Sequence, residues 1–131
     1  MIGVDFMREN EIAKMAMDIC FLIHKKFGPG LFESVYEELF CFEWSKNGIY
    51  FVRQHPVPLS HETIKLEAGF RADCIIDNRV ILEFKSIESL AEVHYKEGLT
   101  YLKLTNLKLG LLINFNVPLM KNGIHRIVNN L

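Results

Sequence analysis

The sequence predicts an α/β fold on three observations. Residues 9–46 keep a helical spacing of apolar positions; the middle of the chain turns to β-branched and aromatic runs broken by prolines; a further helical stretch leads into the apolar run "LGLLINF". The resulting order is αα-βββ-α-β, with a short strand after it.

In residues 9–27, Ile12, Met15, Ala16, Ile19, Cys20 and Ile23 fall on one side of a helix, and "GPG" at 28–30 stops it. A second helix is expected over 31–46, with Leu31, Val35, Leu39 and Phe42 along one apolar stripe, until Asn47-Gly48 breaks it. "IYFVRQHPVPLS" and "TIKLEAGFRADCIID" read as strands. The first should lie at an edge, because Pro56 and Pro58 cannot donate to a ladder. A third strand covers 80–85, a third helix 90–104, "LGLLINF" a buried strand, and 124–128 a last short one. Tyr50, Phe51 and Phe70 sit in core-like patterns and read as packing rather than as a base-stacking platform. With no repeat or linker, the 131 residues suit a single domain over 1–131.

Composition excludes several classes. The longest charge-free run, 109–120, has 12 residues, too short to span a bilayer, so no membrane partner is expected. Charges from Asp5 onward rule out a secretory signal, which makes a cytoplasmic protein the default. Cys20, Cys41 and Cys74 are odd in number and widely spaced, so they read as buried hydrophobes rather than as disulfides or zinc ligands. His55, His61 and His125 have no metal-site spacing. A net charge of −1 argues against a generally basic coat, yet residues 98–131 hold Lys103, Lys108, Lys121 and Arg126 and no acid. That local surface suits a phosphate backbone or is simply a solvated edge.

Chemistry enters where "VILEFKS" places Glu83 and Lys85 in an apolar strand. An unpaired buried charge costs several kcal/mol. Two registers compete for the hairpin around Asp77-Asn78-Arg79. A two-residue loop would mix charged and apolar residues on both faces. A three-residue loop sets Asp73 across from Glu83, Ile75 across from Ile81 and Arg71 across from Lys85, and leaves Ala72, Cys74, Ile76, Val80, Leu82 and Phe84 on the other face. The clean segregation selects the second. The two carboxylates are then held either by a quartet of ion pairs with Arg71 and Lys85 or by a cation such as Mg²⁺ or Mn²⁺. In the second case Lys85 would position the attacking water or stabilise a pentavalent phosphate.

Asp73, nine residues, then Glu83-x-Lys85 on a hairpin resembles the signature of the PD-(D/E)XK nuclease superfamily. Gly30-x-x-Glu33-x-x-Tyr36 and the ending "GLLINFNVPLMKNGIHRIV" resemble its small GxxExxY family. The resemblance covers roughly residues 9–129. It implies a restriction-endonuclease-like core, a central mixed sheet flanked by helices, with Asp73 and Glu83 as metal ligands, Lys85 as the catalytic lysine and Glu33 as a third acid. Glu33 and Glu37 lie one turn apart with Tyr36 beside them, so one helix face would present acids and a phenol.

The resemblance also leads to an amide four residues before Tyr101, where this chain has Glu97, followed by Gly98, which weakens the helix. An ionised carboxylate cannot donate as an amide can. Glu97 would recruit a second metal or mark reduced activity. His94 approaches the same cleft but reads as a satisfied histidine. The expected activity is a Mg²⁺- or Mn²⁺-dependent phosphodiesterase acting on DNA or RNA, working as a homodimer or with a partner. The alternative is a noncatalytic binding module on the same fold.

Overall fold

The computed structural model describes residues 2–131. Helix α1 (Ile2–Phe27) and helix α2 (Glu33–Ser45) are joined by the Gly28-Pro29-Gly30 turn. Five strands follow, β1 (Phe51–His61), β2 (Ile64–Ile76), β3 (Val80–Lys85), β4 (Leu109–Asn114) and β5 (Ile124–Val128), in the spatial order β1-β2-β3-β4-β5. Helix α3 (Glu92–Thr105) crosses over between β3 and β4, so that pair is parallel while the other three pairs are antiparallel. This is the expected α/β architecture, a mixed sheet flanked by helices, with β1 at an edge.

Local chemistry explains where the elements begin and end. Helix α1 starts well before residue 9, since no proline interrupts 2–9 and Gly3 falls in the first turn. Helix α2 starts two residues after position 31 because Phe32 is extended, at φ −68° and ψ 152°. Asn106, at φ 58°, ends α3 in the left-handed region, and the Leu107 N–H turns back to the Leu102 carbonyl. No helix among the described residues is long and apolar enough to cross a membrane.

The sheet buries its two faces unequally. Under α1 and α2 lie Ile12, Ala16, Tyr36, Phe40 and Trp44 against Cys74, Ile76, Leu82, Phe84 and Phe115, with Tyr36 stacked on Phe115 at 4.2 Å between ring centroids. Each such ring contributes about 1.5–3 kcal/mol by leaving water. Under α3 the buried cluster among the described residues is smaller, Ala72, Ile75, Ile81 and Leu102, with Phe70 and Tyr101 stacked beside it at 3.7 Å and Leu112 buried nearby. All three cysteines are buried and free, as expected.

Three packing expectations are corrected. The stripe of Leu31, Val35, Leu39 and Phe42 is not the main face α2 buries: Leu31 and Leu39 pack partly buried against the core, but Val35 and Phe42 do not. Tyr36, Glu37, Phe40, Cys41 and Trp44 face inward instead, while Phe42 is 64% and Val35 38% exposed. Three large aromatics at i, i+4 and i+8 bury more area than the competing stripe, so they take the core. Tyr50 is 59% exposed and packs little. Ala72 leaves the face of Cys74 and Ile76 and joins the α3-side cluster, because strand alternation slips at Asp73.

Candidate active site

The hairpin between β2 and β3 closes through Asp77 and Asn78, both left-handed at φ 53° and 54°, a conformation that short polar residues tolerate. Its ladder pairs Ile76 with Val80, Ile75 with Ile81 and Cys74 with Leu82, which is the three-residue-loop register. The β2–β3 ladder stops there, although β3 continues beside β4 as far as Lys85 and Asn114. So β3 stays in the sheet and β2 turns away. The Phe84 N–H facing the gap is taken by the Asp73 carboxylate, at 2.9 Å to Oδ2. Asp73 thereby stands beside Glu83 with one oxygen fixed.

Its other oxygen is fixed from the opposite strand. Gln54 adopts φ 46°, rare for a residue with a side chain, at a position where the β1–β2 ladder skips between Arg53–Cys74 and His55–Ala72. From there its amide Nε2 donates to Asp73 Oδ1 at 3.2 Å and to Glu37 Oε1 at 2.7 Å. Glu37, 6% exposed, accepts two further bonds from Arg53, at 2.8 and 3.1 Å, and Arg53 also reaches Glu38 at 2.6 Å. The Arg53 guanidinium holds the Glu38 carboxyl below its ordinary range. A chain of charge-assisted bonds therefore runs from α2 through Gln54 to Asp73.

Glu83 has no such support. Its Oε1 is buried and has no hydrogen-bond partner. Burial above all, and then the neighbouring Asp73 charge, push its carboxyl up to about 9, against a smaller opposing pull from Lys85. Arg71, which the ion-pair quartet would require, instead donates to the Gln54 carbonyl at 2.8 Å. The structural quartet is not formed.

Glu83 and Lys85 line a cleft with His94, Glu97, Gly98 and Tyr101 of α3 and with Ile127 of β5. About 20 Å³ of space lies between them, room for an ion or a water but not for a base. Tyr101 is raised above the ordinary phenol range by burial and then by the Glu97, Glu83 and Asp73 charges, which places its hydroxyl among the acids. His94 Nδ1 accepts the Ala91 N–H at 2.8 Å and caps α3, so it is a satisfied histidine that also borders the cleft. Gly98 lets α3 lie close to β5, where an added Cβ would run into Ile127 Cδ1.

The remaining predicted residues are placed elsewhere. Glu33 opens α2 and lines a separate pocket with Gly30, Phe32, Ser34, Ser86 and Asn116. Tyr36 is fully buried: its hydroxyl donates to the Gly28 carbonyl at 2.6 Å and accepts the Leu31 N–H at 3.2 Å. It pins the turn before α2 rather than facing a substrate beside Glu33. Among the described residues, no group of three or more His, Cys, Asp or Glu is gathered to hold a metal ion. The donor set still suits a hard cation, because Asp73 and Glu83 offer carboxylate oxygens side by side and Glu83 Oε1 is without a partner.

Sequence inspection missed Gln54 and Asn114. Asn114, 2% exposed, accepts the Ile87 and Asn116 N–H groups and donates to the Ile87 carbonyl, which clamps the loop leaving Lys85. A polar residue ending the apolar run of β4 was the available signal for Asn114; Gln54 offered none.

A family model of the PD-(D/E)XK nuclease superfamily matches residues 10–127. Comparison with curated proteins and with solved structures gives no match.

Proposed function

Because the chain belongs to the PD-(D/E)XK nuclease superfamily, we propose that it is a Mg²⁺- or Mn²⁺-dependent phosphodiesterase acting on nucleic acid, and that it falls in the GxxExxY branch. Asp73 and Glu83 are the metal ligands in this reading, Glu33 is an auxiliary acid, and Lys85 positions the attacking water. The observation that carries it is the buried, partnerless Glu83 Oε1 beside Asp73. A carboxyl kept protonated by burial and by a like charge loses its proton readily when a cation supplies the missing partner.

When bound, the ion supplies Lewis acidity toward a phosphate oxygen. The chain's own groups do the rest. Phe84 N–H and Gln54 hold Asp73 in one orientation, so little ordering remains for the reaction itself. Lys85 brings a positive charge to the same cleft as Glu83, where it orients water and stabilises negative charge developing on the phosphate. The cleft admits no base, so the nucleic acid presents its backbone at the mouth. The exposed Lys103, Lys108 and Lys121 are available to meet phosphates, whereas Arg126 donates to Asn10 Oδ1 of α1 at 2.9 Å.

Purified protein should cut DNA or RNA with Mg²⁺ or Mn²⁺, and Lys85→Ala should slow cutting by roughly 10²-fold or more while still folding and binding Mn²⁺. Cutting that survives Asp73→Ala or Glu83→Ala would reject the assignment. Glu97, an acid beside an already acidic cleft, favours a second reading as a binding module of reduced activity. That reading gains if calorimetry shows no Mn²⁺ uptake at millimolar concentration.

A further inference from the structure

His94 is half-buried in the first turn of α3 and lines the same cleft as Glu83 and Lys85. Its Nδ1 accepts the Ala91 N–H at 2.8 Å, and its own backbone N–H returns to the Ala91 carbonyl at 3.0 Å. An imidazole nitrogen that accepts an N–H carries no proton, so the neutral ring holds its proton on Nε2. The bond that satisfies one nitrogen thus makes the other a donor. A general base would have to take its proton on Nδ1, where the Ala91 N–H already points, so the ring is set to donate rather than to shuttle protons.

We propose that His94 Nε2–H is a phosphate-binding donor of this cleft, giving a hydrogen bond to a non-bridging oxygen of the scissile phosphodiester, an assignment that rests on the phosphodiesterase reading and adds a residue to it. The need for such a donor follows from the charge of the cleft. Among the described residues that line it, Lys85 is the one cation, whereas Glu83 and Glu97 are acids, and an ionised Glu97 cannot donate. His94 and Glu97 stand three residues apart on one face of α3, so the imidazole N–H is presented from the side that carries the acid. A neutral donor meets the phosphate without a second charge to desolvate. Because the Ala91 bonds already hold the residue, little ordering remains as negative charge develops on the oxygen.

Two measurements on the full chain test this. Long-range proton–nitrogen NMR spectra should show His94 as the Nε2–H tautomer, and its Nε2 signal should move when inorganic phosphate is titrated in with Mg²⁺, whereas that of His61, exposed on β1, should not. An Nδ1–H tautomer, or an Nε2 signal indifferent to phosphate, overturns the proposal. In cleavage assays His94→Leu should lower kcat/KM roughly 10- to 100-fold. His94→Gln, whose amide both accepts and donates, should recover most of that loss. Adding Ala91→Ser to His94→Leu should cap α3 anew and recover the melting temperature, but not the cutting. Cutting that returns with the cap, or that His94→Leu never loses, makes the residue structural only and overturns the proposal. A wild type that does not cut sinks the phosphodiesterase reading, and the spectra alone then decide whether His94 donates to phosphate.

Discussion

Under α1 and α2 the sheet is filled by Tyr36, Phe40, Trp44, Phe84 and Phe115, whereas under α3 a few aliphatic side chains share the surface with Asp73, Glu83 and Lys85. On the aromatic side the two buried carboxylates, Glu9 and Glu37, are each paired with an arginine, whereas Glu83 on the other side keeps a buried oxygen without a partner. Confining the dense core to one side lets the other carry charge without the fold depending on it. Strain follows the same division, since the left-handed Gln54 belongs to the network that holds Asp73. Stability and chemistry are thus carried on opposite sides of the same five strands.

The largest way to break this division is to hollow the dense side. Trp44→Ala should lower the unfolding free energy by about 3–5 kcal/mol in urea titration and leave Mn²⁺ affinity of the folded fraction unchanged, whereas Leu102→Ala under α3 should cost about 2–4 kcal/mol and weaken Mn²⁺ binding by shifting the cleft wall. Equal metal affinity in the two variants would deny the separation.

Next in size is Glu83→Gln. The Glu83 carboxyl sits near 9 in the fold and near 4.5 in the unfolded chain. Its favourable contribution is therefore full below pH 4.5 and is lost as pH rises toward 9. Without metal, the variant should gain on the wild type across that interval in thermal melts and should match its pH trend outside it. Added Mn²⁺ should reverse the order, stabilising only the wild type.

The smallest effect on stability is expected from Gln54→Gly. Relief of the positive φ offsets the lost bonds to Glu37 and Asp73, leaving a net change within about 1 kcal/mol. Mn²⁺ affinity should nevertheless fall several-fold, because Asp73 is no longer held from β1. Unchanged affinity would show that Phe84 N–H alone orients it.

Much of this was legible in the sequence wherever a strict period operates. Alternation in "RADCIID" and "VILEF" set the β2–β3 register, and prolines placed β1 at the edge. Where two patterns compete, reading the sequence chose wrongly: α2 carries two apolar stripes, and the deciding quantity is the area of Tyr36, Phe40 and Trp44 rather than the spacing of either. Tyr36 looked chemical because it lies beside Glu33 and Glu37, yet its hydroxyl closes the Gly28 turn. Gln54 was invisible because a left-handed glutamine is produced by its surroundings, not by local preference. Ala72 changed sides for a related reason, since an alternation rule assumes an intact ladder and Asp73 interrupts it.

Gly98 carries none of the chemistry, yet it governs how low α3 rides over the strands. A single methyl there must push aside the tip of Ile127 or raise the helix together with Glu97 and Tyr101. Aperture and reactivity are therefore separately adjustable: drift at one glycine can widen the entrance while every acid, amide and amine behind it stays the same.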